Sequence, residues 1–386
     1  MNLRNLAVLL FLGLSACSGS GGSVSGLPNT AAPASDQNNV APAALEVQSD
    51  TLRQPLSTPV PASSDLLYVS NQGNASITVY RHDAQGNAAP LYLIAGSKTG
   101  IVSPGQLSED AQGNLYVANG PWVARGNVLV FAHGAKGNVA PIRILAGPAT
   151  KISWGVYGLT VDQGTGKLFI ITQIPKTQAF NPNELLLRFP PNATGNTAPF
   201  ASESAIGATD PITQLASDST GLNLIMDNIG EVGGNAVGAG IYTVQKQFPG
   251  YAPPEPEAAG VWASGIADDP STKSYVFSGG YQSCSGPNNV VVNTGIVRFA
   301  ESANGSVEFL GYLPCTFTLK PAPLSVITSA TNCGQLALGY LRNIYAVCGS
   351  AIKVFAHDAS GNVPPLRVLS GAATKLNAPY GIYEGK

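Results

Sequence analysis

The chain predicts an all-β fold, a ring of six four-stranded antiparallel blades forming a β-propeller, and three repeating series in the sequence predict it. The first series is a nine-residue signature: HDAQGNAAP from His82, HGAKGNVAP from His133 and HDASGNVPP from His357, with a weaker copy, PNATGNTAP, from Pro191. The second is a short strand ending in small polar residues: LLYVSN at Leu66, LYVAN at Leu115, LFIIT at Leu168, LNLIMDN at Leu222, SYVFSGG at Ser274 and NIYAVCG at Asn343. The third is a Leu or Ile preceded by Gly or Gln: Leu107, Leu159, Leu215, Ile266, Leu336 and, at the end of the chain, Ile382.

In chain order, residues 1–16 carry Arg4, then an apolar run from Leu6 to Leu14, and stop at Leu14-Ser15-Ala16 before Cys17. A run of that length is too short to span a bilayer and reads as a signal peptide. The small residues before Cys17 resemble the lipobox of bacterial lipoproteins. The resemblance implies cleavage before Cys17, a lipid on its sulfur and the membrane as a partner. Ser18, rather than Asp, after the cysteine implies the outer membrane if the cell is Gram-negative. Residues 17–63 are Ser, Gly, Ala, Pro and Asn with few aromatics, a composition that cannot bury enough apolar surface to offset ordering entropy, and they read as a flexible tether. The propeller is expected over residues 64–386.

Charged residues make up 11% of the chain, while Gly (44) and Pro (29) are abundant, which favours strands and tight turns over helices. The net charge is −2 with no basic run, which excludes a nucleic-acid footprint. Just before each copy of the signature lies an alternating apolar strand, at residues 77–80, 128–131, 185–189 and 352–355; residues 241–244 and 296–299 are strands of the same type without the full signature. Period-2 alternation, β-branched and aromatic residues and Gly-Asn turns mark all of these as strands in hairpins. Each repeat then supplies strands A to D, with the Leu/Ile series as the innermost strand A. Repeat one lacks strand A, and the C-terminal segment PYGIYEGK supplies it, closing the ring.

The stretch from Gln106 to Asn119 reads Q-L-S-E-D-A-Q-G-N-L-Y-V-A-N and resembles the NHL repeat. That resemblance implies the propeller fold and leaves function open, because such propellers include protein-binding, sugar-binding and enzymatic members.

The three histidines, His82, His133 and His357, occupy the same repeat position at the start of the C-to-D connection, so they lie apart around the ring and make poor partners for a triad or a metal site. Asp110, Asp162, Asp218 and Asp269 recur three residues after the Leu or Ile of strand A, where Asp opens a turn by bonding its own backbone. No nucleophile elbow, H-E-x-x-H or phosphate loop occurs. No catalytic residue and no cofactor is therefore assigned. Resemblance to gluconolactonase or streptogramin-lyase propellers implies metal ligands or a catalytic His on the ligand face, whereas the histidines here sit on the other face. A lactonase- or lyase-type enzyme with a metal at the channel mouth is the alternative reading.

The leading reading is a recognition module for an envelope protein or glycan. The B-to-C connections at residues 119–127, 173–183, 228–240 and 279–295 are long and unlike one another, and variable loops on a rigid scaffold are where binding is built. Trp122, Trp154, Trp262 and Tyr281 map to that rim as candidate ligand-binding aromatics, with gap-filling between blades as the other reading of Trp154 and Trp262. Gln106, Gln214 and Gln335 alternate with Gly158, Gly265 and Gly381 just before the strand A Leu or Ile. They read either as hydrogen-bonded packing or as the polar floor of a ligand channel.

Four further cysteines, Cys284, Cys315, Cys333 and Cys348, favour disulfides in an exported protein. In repeat six a turn centred near Tyr340 and Leu341 sets Cys333 opposite Cys348, which predicts that disulfide. By elimination Cys284 pairs with Cys315, placed after strand D of repeat five, and the competing pattern has Cys284 reaching repeat six.

Overall fold

The computed structural model describes residues 65–120, 126–173, 184–205, 214–217, 224–226, 230–232, 235–237, 261–284, 290–300, 308–312, 315–318 and 324–385. Cys17, the leader and tether, Trp122, Asp218 and the expected strand at 241–244 lie outside the described residues. So do the side chains of Trp262, Tyr281, Cys284 and Cys315.

The described chain is an all-β propeller of four-stranded antiparallel blades. Repeat two forms Pro104–Glu109, Leu115–Asn119, Asn127–Phe131 and Arg143–Leu145. Repeat three forms Val156–Val161, Leu168–Gln173, Glu184–Phe189 and Ala201–Ala205. Repeat five forms Val261–Asp269, Ser274–Cys284, Val290–Ala300 and Ser325–Ile327, and repeat six Cys333–Leu338, Ile344–Cys348, Ala351–Phe355 and Arg367–Leu369. Repeat one forms Leu66–Asn71, Ser76–Arg81 and Tyr92–Ala95, and the C-terminal Pro379–Gly385 pairs antiparallel with Leu66–Asn71 as its innermost strand.

Among the described residues the complete four-stranded blades number five, which corrects the expectation of six. Repeat four contributes a two-stranded ladder, Leu215–Ser217 with Leu224–Met226, and Gly230–Val232 with Asn235–Val237 forms a separate pair. The third strand expected in this repeat, at 241–244, lies outside the described residues, and the repeat lacks the full nine-residue signature.

That signature joins neighbouring blades. The glycines of the four copies, Gly86, Gly137, Gly195 and Gly361, sit at φ between 57° and 77°, which a side chain resists. Each makes a parallel bridge to strand D of the preceding blade: Gly86 to Leu369, Gly137 to Ile94, Gly195 to Leu145 and Gly361 to Ile327. Gly137 N, for instance, donates to Leu93 O at 2.6 Å, and its carbonyl accepts from Ala95 N at 3.1 Å. In the first three copies the next residue completes the clasp. Asn87, Asn138 and Asn196 each accept, through Oδ1, a backbone N–H of the preceding blade, from Ala373, Lys98 and Ala149 respectively, all at 2.7 Å. Those acceptors meet a G-x-x-T turn, Gly96 to Thr99, Gly147 to Thr150 and Gly371 to Thr374, whose threonine hydroxyl bonds back to its glycine carbonyl.

The core lies between blades rather than inside one. Val128 and Leu145 of repeat two pack with Leu159 and Leu168 of repeat three, and Tyr345 and Leu369 of repeat six with Leu67 and Tyr80 of repeat one. Burial pushes the Tyr80 phenol up to about 12, and its hydroxyl donates to Thr374 O at 2.5 Å.

Cys333 and Cys348 are disulfide-bonded and directly opposed in the ladder. The register is not uniform, however: Leu336 faces Ala346 and Leu338 faces Ile344, with an irregularity between Cys333 and Leu336. The simple numbering argument therefore holds at the cysteines and is off by one nearer the turn, whose Leu341 and Arg342 have φ of 56° and 59°. Strand D of repeat five is Ser325–Ile327, so Cys315 precedes it, on a hairpin Glu308–Tyr312/Cys315–Thr318 inserted between strands C and D. This corrects the expected placement of Cys315 after strand D.

Candidate functional site

The innermost strands share one irregularity. In every complete blade the A–B register shifts just before or at the Gln/Gly position, between Pro104 and Leu107, Val156 and Gly158, Ala263 and Gly265, Cys333 and Leu336, and opposite Val69 to Asn71 in repeat one. A bulge turns backbone groups out of the ladder, and those groups need other partners. The glutamines supply them. Gln106 Oε1 accepts from Leu159 N and from Leu215 N, both at 2.9 Å, while its Nε2 donates to Leu215 O at 2.6 Å. Gln214 repeats this one step on, accepting from Ile266 N at 3.0 Å and Leu336 N at 3.1 Å and donating to Leu336 O at 2.7 Å. Gln335 is equally buried at the corresponding place in repeat six.

The alternating glycines follow from this packing. A Cβ on Gly265 would lie 2.4 Å from Gly334 O, and one on Gly381 would lie 2.2 Å from Gly105 O. The Gln/Gly alternation is thus a backbone-satisfying plug across the axis.

Above the plug, toward the A-to-B turns, a cavity of about 380 Å³ opens, lined by all five innermost strands and by the Leu215 strand of repeat four. Gln106 and Gln214 line it, so two of the three glutamines are brought to one place. Asp162 and Gln163 line it from the A-to-B turn, and further polar lining comes from residues the sequence reading did not single out: Ser108, Thr160, Asp268, Tyr383 and Glu384. All fall one or two residues after the Leu/Ile series, so a column drawn through that position would have found them. Ser108 Oγ accepts Val161 N at 3.1 Å. Burial, followed by the negative charges of Glu109 and Asp110, holds the Tyr383 phenol well above its ordinary pKa, so it stays a neutral donor.

The turn aspartates behave as expected in part. Asp110 Oδ1 accepts Gln112 N at 3.0 Å and Asn114 N at 2.9 Å, and Asp162 Oδ1 accepts Gly164 N at 2.9 Å. Asp269 does more. Its carboxylate, buried to 1%, meets Arg298, Ser271 Oγ at 2.6 Å, Thr272 Oγ1 at 2.8 Å and His357 Nε2 at 2.5 Å from the next blade. Burial alone would raise its pKa, but the hydrogen bonds from Ser271, His357, Thr272 and Arg298 outweigh it and hold the carboxyl far below its ordinary value. Of the other histidines, His82 accepts Tyr345 OH at 3.0 Å through its carbonyl, and His133 packs against Gly113. Among the described residues no group of three or more His, Cys, Asp or Glu side chains is placed to hold a metal ion.

The opposite rim carries the B-to-C connections. There Trp154 is 38% exposed, and its carbonyl accepts Thr172 Oγ1 at 3.2 Å. Strands B and C of repeat five run eleven residues each, against five for strand B of repeats two and six. Six more residues at about 3.4 Å each carry this hairpin ~20 Å further. Strand A joins the extension, with Trp262 opposite Gly280 and Val261 opposite Tyr281, so the backbone brings those two predicted positions together and leaves Trp154 on another blade.

No protein-family model matches this chain, and no curated protein does. Solved structures do. The periplasmic gluconolactonase of Pseudomonas aeruginosa is 13% identical over 83% of this chain and 99% of that chain, with a TM-score of 0.49. A candidate 6-phosphogluconolactonase of Bacteroides fragilis is 14% identical over 85% of this chain and 100% of that one, with a TM-score of 0.47. The β-propeller domain of Cps50 (Swd1) from Myceliophteria thermophila is 13% identical over 79% and 83%, with a TM-score of 0.38. At such identities a shared architecture says nothing about shared chemistry.

Proposed function

We propose that this chain is a cell-envelope lipoprotein, lipidated at Cys17 and held on a tether over residues 17–63. Its propeller, an NHL-like ring closed by the C-terminal strand, recognises an envelope protein or glycan through the rim of B-to-C and D-to-A connections. The observation that carries the reading is the extended hairpin of repeat five, joined at its base by strand A and projecting on that rim. An elongated ladder on an otherwise short-stranded scaffold presents extra backbone edge and side-chain surface where loop variation is tolerated.

The test shortens the projection, joining Gly280 to Thr294 through an Asn-Gly turn. Those two residues are directly opposed, so the cut preserves the rest of the blade. Melting should change little, while retention of purified protein on native envelope preparations and on glycan arrays should fall to background. A shortened protein that keeps every partner of the full-length chain overturns the reading.

A further inference from the structure

We propose that the rim carrying the A-to-B and C-to-D connections rests on a lipid surface, so that the recognition rim faces away from the membrane. Among the described residues, the exposed large apolar side chains follow the repeat. Leu91, Ile142, Phe200, Leu324 and Leu366, each 51% to 57% exposed, stand one per complete blade immediately before strand D. Each donates its backbone N–H to strand C of its own blade, to the carbonyls of Val79, Val130, Arg188, Arg298 and Val354 respectively. That shared register sets all five at one level of the ring, at the end where strand C gives way to strand D. Leu341, 65% exposed, adds a sixth from the A-to-B turn of repeat six on the same rim. A lone exposed apolar residue needs no explanation, but the same exposure at the same position of every complete blade does.

The occupant follows from where the chain enters and how these residues are spaced. Strand B of repeat one begins at Leu66, opposite Arg81 at the end of strand C, so the chain enters the propeller on this same rim. On the lipoprotein reading, on which this placement rests, the lipid at Cys17 lies upstream of that entry, and a coil of about fifty residues spans only ~40 Å. The anchor then holds this rim beside the bilayer at high effective concentration, where weak apolar contacts suffice. Side chains spread singly around a ring suit a continuous apolar medium, whereas a second protein copy needs a contiguous, complementary patch.

Co-sedimentation with vesicles of phosphatidylethanolamine and phosphatidylglycerol tests this, using the chain from Ser18 onward, which keeps every described residue and carries neither leader nor lipid. It should bind reversibly, and binding should persist as salt rises because the contacts are apolar. Leu91→Ser, Ile142→Ser, Phe200→Ser and Leu366→Ser combined should lower the vesicle partition coefficient about tenfold or more, with melting little changed. Leu91→Ser with Ile142→Ser alone should give a smaller drop, and it serves should the fourfold variant fail to fold. Val102→Ser, at a residue 59% exposed in a D-to-A connection of the opposite rim, should leave the partition unchanged. Absence of vesicle binding, a partition coefficient that the rim variants leave unchanged, loss of binding at high salt, or a lipid-free dimer that those variants dissociate, each overturns the proposal. Failure of the lipoprotein reading shows separately, as an unmodified Cys17 in the mass of the envelope-derived protein.

Discussion

The junctions flanking repeat one and that between repeats two and three are built differently from the junction between repeats five and six. In the first three, a glycine at positive φ and the asparagine after it bracket the neighbouring blade, and almost every partner is a backbone group. At the junction of repeats five and six the glycine bridge persists through Gly361 and Ile327, but the joining side chains are ionic: Asp269 and Arg298 of one blade with His357 of the next. Backbone brackets depend on a short motif and barely on pH. The charge cluster stands where the facing blade lacks the G-x-x-T turn, and it makes the joint depend on protonation.

The largest effect expected is on the first type of junction, where repeat one is assembled from both ends of the described chain. Deleting residues 379–386 removes the strand paired with Leu66–Asn71 and leaves that strand as an open edge. It also removes Ile382, which is 2% exposed in the core shared by repeats six and one, and the Gly381 N–H bonded to Ser70 Oγ at 2.7 Å. The truncated chain should aggregate or unfold at markedly lower temperature, followed by light scattering and melting. Unchanged melting would mean that the ring does not depend on this strand.

The next effect distinguishes the ionic junction. Asp269→Asn leaves the Arg298 guanidinium, 8% exposed, without its carboxylate, and breaking a buried pair in this way costs about 3 to 5 kcal/mol. The low end applies, because Arg298 keeps Ser274 Oγ at 2.7 Å and His357 O at 3.0 Å. The pH sign follows from the lowered folded pKa of Asp269: its stabilisation is complete above the unfolded carboxyl value and is lost as pH falls toward the folded one. The native protein should therefore lose melting temperature below pH ~4 more steeply than the variant. Parallel acid limbs in the two melting-pH curves would show that the cluster is not the acid-sensitive element.

Much of this was legible in the sequence because backbone brackets write themselves as motifs. The repeated GN pairs were legible as turns, though not as joints between blades, and the Gln/Gly alternation was legible as either packing or a channel floor, of which Gln106 and Gln214 show backbone-bonded packing. The opposition of Cys333 and Cys348 was legible too, although the bulge before Leu336 made the register around it irregular. What the repeats did not reveal was that repeat four forms no complete blade among the described residues. Repeat four retains a B strand that scores like the others, and a strand series counts strands rather than pairings. The cavity lining was also missed, since Ser108, Thr160, Ala216, Ala267, Ala337 and Tyr383 share a position but no chemistry. Asp269 looked like any turn aspartate, because Arg298 and His357 lie 29 and 88 residues away in sequence.

The smallest effect tests whether the bracket itself differs between the two kinds of junction. Asn138 Oδ1 accepts Lys98 N at 2.7 Å, and its side chain lies so close over Gly96 that a Cβ there would sit 2.5 Å from the amide carbon. The contact is at the surface, so Asn138→Ala should cost only about 0.5 to 1 kcal/mol, the net worth of one hydrogen bond. Asn138→Asp keeps the acceptor oxygen and should recover most of it. Asn362 follows Gly361 at the equivalent position of repeat six, but the blade it faces lacks the G-x-x-T turn, and its side chain is exposed. Asn362→Ala should therefore fall within about ±0.5 kcal/mol of the native protein, as surface substitutions away from special contacts do. Chemical denaturation of the three variants side by side measures the contrast. Equal losses for Asn138→Ala and Asn362→Ala would mean that the asparagine acts locally in its own turn, and the distinction between backbone-bracketed and ionic junctions would then rest on Asp269 alone.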